Sequence, residues 1–121
     1  MNFLYILNVI IALAILNVWL FRYNKKTSYR GGDASSLMQE FKVYGLPKWI
    51  FYLTGFVKIF LSIALIVGIW FEEVTLLAAM FLSLIMLVAI IMHIKVNDPF
   101  KKSVPAITIL FFLLTILFNT I

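Results

Sequence analysis

Four apolar runs, each long enough to cross a bilayer as a helix, dominate this chain. A crossing helix needs about 20 mainly apolar residues. Phe3–Phe21, Trp49–Phe71, Val74–Ile94 and Ser103–Ile121 all meet that requirement. Lipid offers no hydrogen bonds to the backbone, so such segments satisfy their own N–H and C=O groups by coiling into helices. Hydrophobic residues make up 64% of the chain and charged residues only 12%, too few to give a soluble surface. The expected fold is therefore all-α: an integral membrane, antiparallel four-helix bundle forming one domain over residues 1–121, with no soluble catalytic domain. The first run has no basic residue before it and extends well past the small residues at 12–14, so it is expected to be a retained span rather than a signal peptide.

The loops orient the bundle. Arg22, Lys25, Lys26, Arg30, Lys42 and Lys48 lie between spans one and two, and Lys95, Lys101 and Lys102 lie between spans three and four. An even number of crossings brings both loops to one side, leaving Glu72 and Glu73 on the other. The positive-inside rule then predicts cytoplasmic basic loops and both termini outside. The net charge of +5 is thereby explained by topology, and no nucleic-acid partner is expected. Cysteine is absent, which excludes disulfides, thiolate metal sites and thiol-redox chemistry.

The long connection between spans one and two contains a signal of its own. Ser36 is a candidate N-cap with Gln39 three residues later. Leu37, Phe41 and Tyr44 follow at helical spacing, and Gly45 and Pro47 stop the run. The pattern predicts a short amphipathic helix over about 36–44, lying in the interface or folding over the mouth of the bundle as a lid. Trp19, Tyr23, Tyr44 and Trp49 fit an aromatic belt at the same interface.

Lys58 is the polar anomaly. It lies about 13 Å into the second span at 1.5 Å per residue, where a lysine costs about 2.5–3.5 kcal/mol. Its stem can snorkel only part of the way back. Thr54, Gly55, Lys58 and Ser62 share one face of that helix, and Ala79, Ser83, Met86, Ala89 and His93 share one face of the third. Small, weakly polar stripes of this kind mark helix-packing sides, and Thr108, Thr115 and Asn119 form a comparable stripe on the fourth span. Two readings follow. Lys58, His93 and Asn17 converge on a polar pocket with Glu40 or Asp98 as counter-charge, or Lys58 snorkels and His93 bonds a backbone carbonyl. Asn8, nine residues before Asn17, points away from this cluster and lies near the opposite face.

The stretches "YRGGDASSLMQEFKVYGLPKW" and "YLTGFVKIFLSIALIVGIW", followed later by "HIKVNDPFKKSVPA", resemble the DoxX-like family of small four-span bacterial membrane proteins over residues 28–105. The resemblance implies a bacterial inner-membrane location. It highlights Gly45, Pro47, Gly55 and Pro105 as structural positions and Lys58, His93 and Asp98 as the positions able to do chemistry. It also implies either an accessory or assembly role or membership of a quinone-linked complex. Two functions are therefore weighed. The first is a non-catalytic accessory subunit with a membrane-protein partner or a second copy of itself. The second is a quinone- or lipid-binding subunit of an oxidoreductase, with Lys58 and His93 holding a carbonyl or a developing negative charge. One histidine cannot supply paired haem ligands, and no intrinsic cofactor or metal site is expected. A small transporter ranks last, because Phe3–Phe21 contains no Asp or Glu.

Overall fold

The computed structural model describes residues 3–120, so the last residue of the expected fourth span, Ile121, lies outside the described residues. Helix α1 (Phe3–Leu16) continues directly into a π-helical turn, Asn17–Phe21. The short α2 (Leu37–Val43) precedes α3 (Lys48–Val67) and α4 (Glu72–Lys95). A 3-10 turn, Phe100–Ser103, then leads into α5 (Val104–Thr120). The four long segments are all apolar enough to span a membrane, and no strand occurs among the described residues. The protein is a multi-pass membrane protein.

The long helices pack in a ring, α1 against α3, α3 against α4, α4 against α5, and α5 back against α1. Ile11, Leu65, Leu82, Leu113 and Ile116 fill the centre with no exposed surface. Large side chains such as Phe56, Phe111 and Phe118 point outwards and are more than 60% exposed. That inversion fits a bundle whose solvent is hydrocarbon, where outward apolar faces carry no penalty.

Each helix end has a local cause. Ser36 Oγ accepts from Gln39 N at 3.2 Å, and Gln39 Oε1 accepts from Ser35 N at 2.9 Å, so the reciprocal cap forms one residue further back than a standard capping box. At the other end of α2, Gly45 takes a left-handed φ of +80°, with Gly45 N bonded to Lys42 O and Leu46 N to Phe41 O. This is a Schellman reversal, and Pro47 follows it before α3 begins. The same device ends α4, where Asn97 is left-handed (φ 59°) and its N–H bonds Ile94 O. Asp98 N then bonds His93 O at 3.0 Å, which folds Asp98 back over the last turn of α4. Between α3 and α4 the turn is tight because Gly68 has no Cβ; one there would meet Thr75 Oγ1 and would lie 2.8 Å from Thr75 N.

One expected packing stripe is turned around. Thr108 and Asn119 of α5 are exposed, and Thr108, Thr115 and Asn119 each bond a carbonyl four residues back in their own helix. A polar side chain satisfied this way needs no neighbouring helix. The α4 stripe does face inwards, with Ala79, Ser83, Met86 and His93 all buried.

Candidate functional site

Most of the ionisable residues gather at the end of the bundle that carries the basic loops, with Glu72 and Glu73 at the other end. Because the Schellman turn brings Asp98 back onto α4, its Oδ2 meets His93 Nδ1 at 2.7 Å. Its Oδ1 accepts from Gly32 N at 2.9 Å and lies 3.7 Å from Lys102 Nζ, which itself donates to Gly32 O at 2.6 Å. Asp98 therefore clamps the loop after span one to the end of α4. Burial alone would raise its carboxyl pKa, yet the bonds from His93 and Gly32 and the nearby Lys102 hold it below the usual carboxylate range.

A second set of bonds adjoins this clamp. Tyr44 Oη donates to Glu40 Oε1 at 2.8 Å and lies 3.4 Å from both ring nitrogens of His93, with the two ring planes at 86°. That near-perpendicular contact seats the imidazole edge-on. Burial and the neighbouring Glu40 carboxylate push the Tyr44 phenol pKa up, so it stays protonated and remains a donor. Lys95 Nζ donates to Tyr44 O at 2.9 Å. Arg30 is buried beside Glu40 at 3.8 Å, and its Nη2 donates to the carbonyls of Arg22 (2.7 Å) and Lys25 (3.2 Å). Desolvation lowers its pKa and Glu40 offsets part of that effect. Gly31 leaves room for Tyr44, since a Cβ at Gly31 would lie 2.6 Å from the phenol ring.

Lys58 stands apart from this network. Its Nζ lies 5.4 Å from the centroid of the Trp19 ring, and Glu40 is the carboxylate near enough to attract it. A cation over an indole face is a stabilising pair, so the membrane lysine is held by an aromatic ring. Gly55 makes this possible, because a Cβ there would sit 2.8 Å from Trp19 Cζ3. Ser62 is buried and donates to Lys58 O at 2.7 Å, while Thr54 is half-buried. No hydrogen bond or ion pair joins Lys58 to His93 or Asn17 among the described residues. Asn17 is exposed because span one buries the face of Asn8, Ile11, Ile15 and Trp19, and Asn17, nine residues after Asn8, lies on the opposite side. Of the sequence-derived candidates, the fold thus unites His93, Asp98 and Glu40 and sets Lys58 beside Trp19. Pro105 lies exposed in the first turn of α5.

Sequence reasoning missed Arg30 and Tyr44 as members of the network and Trp19 as the partner of Lys58. Trp19 and Tyr44 are 8% and 5% exposed, so neither belongs to a belt that faces headgroups. The position of Tyr44 at the α2 terminus, one residue before a left-handed glycine, was the available signal.

Beside Trp19 a groove of about 610 Å³ opens between the π turn that ends span one, α2 and α3. Trp19, Phe51, Ile59 and the outward-facing Phe56 supply its apolar lining, and its mouth carries Asn24, Ser36, Gln39 and Lys42. Among the described residues no carboxylate lines it. Residues 27–117 match the model of the DoxX-like family. No curated protein and no solved structure matches the chain.

Proposed function

The chain belongs to the DoxX-like family, and on that premise we propose that it is a non-catalytic accessory or assembly subunit of a larger membrane complex. The carrying observation is how the polar groups at the basic end are used. His93, Asp98, Glu40, Tyr44 and Arg30 are bonded to one another or to backbone carbonyls, so their chemistry goes into closing the end of the bundle. Asp98 and Tyr44 are held in their ionised and protonated forms respectively, each away from the midpoint that a general base or acid needs near neutral pH. In this reading the basic loops face the cytoplasm, both termini lie outside, and the membrane is a bacterial inner membrane. Purification in a mild detergent with a terminal affinity tag is expected to recover a membrane protein in fixed stoichiometry. Recovery of a lone monomer or homodimer overturns the accessory reading.

A second reading is favoured by the groove beside Trp19: a subunit that binds an amphiphile, either a quinone or a lipid. The groove lies within the usual size range of ligand sites and combines apolar walls with a few polar groups at one end. Organic extraction of the purified protein followed by an absorption spectrum separates the two occupants. A quinone chromophore in the extract supports the redox form of this reading, and an extract without one removes it.

A further inference from the structure

We propose that the groove between the π turn of span one, α2 and α3 is a binding site for one anionic phospholipid, which rests on the amphiphile-binding reading above and specifies its ligand. Depth is the first argument. The groove runs from Lys42 at the end of α2 down to Ile59, about 16 Å along α3 from its start at Lys48, at 1.5 Å per residue. Half of a hydrocarbon core of about 30 Å has a similar depth, so the groove traverses one leaflet. A ligand of that length with a polar head and an apolar tail is a leaflet lipid.

Charge is the second argument. Lys42 lines the mouth, and Tyr23 and Asn24 of the same wall are chain neighbours of the exposed Arg22 and Lys25. Glu40, the one acid of α2, faces the other way, towards Arg30 and Tyr44. Ser36, Gln39 and Asn24 add hydrogen-bonding groups at the level of the headgroup. A negative phosphate meets attraction here and finds no carboxylate on the wall to repel it. The aromatic floor is built for permanence, since Trp19 packs against Phe51 and Phe41 with ring centroids 5.4 and 6.0 Å apart.

The test uses the full chain carrying Trp49→Phe and Trp70→Phe. Both positions are exposed, and the changes leave Trp19 as the single indole. In nanodiscs with a phosphatidylcholine host, brominated phosphatidylglycerol is expected to quench Trp19 to saturation at a mole fraction well below that needed with brominated phosphatidylcholine. Lys42→Gln is expected to narrow that preference about fivefold, the value of one basic side chain near an anionic surface. Lys101→Gln, in the other basic loop and away from the groove, is expected to leave it unchanged. Equal narrowing by Lys101→Gln means diffuse surface attraction and overturns the site. Equal quenching by the two lipids overturns the anionic headgroup while leaving the groove an amphiphile site. Failure of both lipids to quench Trp19 overturns the proposal and the lipid form of the amphiphile reading, while the quinone form stands or falls on the extraction.

Discussion

At the basic end of the bundle, Asp98 ties His93, Gly32 and Lys102 together while Glu40 ties Arg30 and Tyr44. At the opposite end, the neutral Asn8 bridges three helices, its Nδ2 donating to Leu65 O and to Thr75 Oγ1, both at 3.0 Å. The contrast follows from the connections. The turn after α3 is short and closed by Gly68, so the chain itself holds α3 and α4 together there. The segment from Arg22 to Ser36 has no regular structure, and ordering it costs roughly 1–2 kcal/mol of backbone entropy per residue. Charge-assisted bonds, about twice as strong as neutral ones, offset that cost where the loop needs it.

The largest effect is expected from Asp98→Ala, which leaves His93, Gly32 and Lys102 without their common acceptor. A loss of about 3–5 kcal/mol should appear in thermal unfolding in detergent, with faster hydrogen exchange confined to residues 22–44 and 93–102. Uniform acceleration across the bundle would break the distinction between the ends. Acid should act on the same clamp. The folded Asp98 carboxyl titrates below its unfolded value of about 3.9. Its contribution is therefore complete above about pH 4 and is lost as pH falls through the folded value. Exchange at the basic end should rise on acidification, and Asp98→Asn should remove Asp98's share of that response.

Asn8→Ala comes next, with an expected loss of about 2 kcal/mol that does not change between pH 4 and pH 8. A pH-dependent loss would show that the neutral end is coupled to the charged one. Gly55→Ala should cost about 1–2 kcal/mol by forcing Trp19 away from α3, and it should also lower the fluorescence response of Trp19 to groove ligands. The smallest change is expected for Lys58→Met. That variant loses a cation–π contact of about 0.5–2 kcal/mol and is relieved of a comparable or larger desolvation cost. Stability and membrane insertion should be equal or improved. A marked loss in either would assign Lys58 a tie to Glu40 stronger than the ring contact implies.

Much of this architecture was legible from hydropathy and helix stop signals. The apolar runs, the Ser36 cap and the Gly45–Pro47 stop act within a turn of chain, so sequence displays them directly. The meeting of His93 with Asp98 was half legible, because "H-x-K-x-x-D-P" fixes the spacing but not the left-handed Asn97 that bends Asp98 back. Helix rotation was not legible. One of the two readings placed Asn17 inside, and it is exposed, while Trp19, assigned to the interface, is inside. A uniformly apolar helix such as α1 has too little facial contrast for its sequence to say which side meets lipid. On α5, the threonine bonds to their own helix removed the polar signal that would otherwise mark a packing face.

The π turn at Asn17–Phe21 has its consequence further along the chain. Arg22 N reaches back five residues to Asn17 O at 2.9 Å, so the turn holds one more residue than an α-helical one. Each residue is worth about 100° of rotation in an ordinary helix, so the widened turn acts as a phase shifter between span one and the loop that follows it. Removing a single residue from it would leave the length of the span nearly intact. Taken from the part after Trp19, that residue would leave the indole seated and turn Tyr23 and Asn24 by about 100°, away from the groove they line.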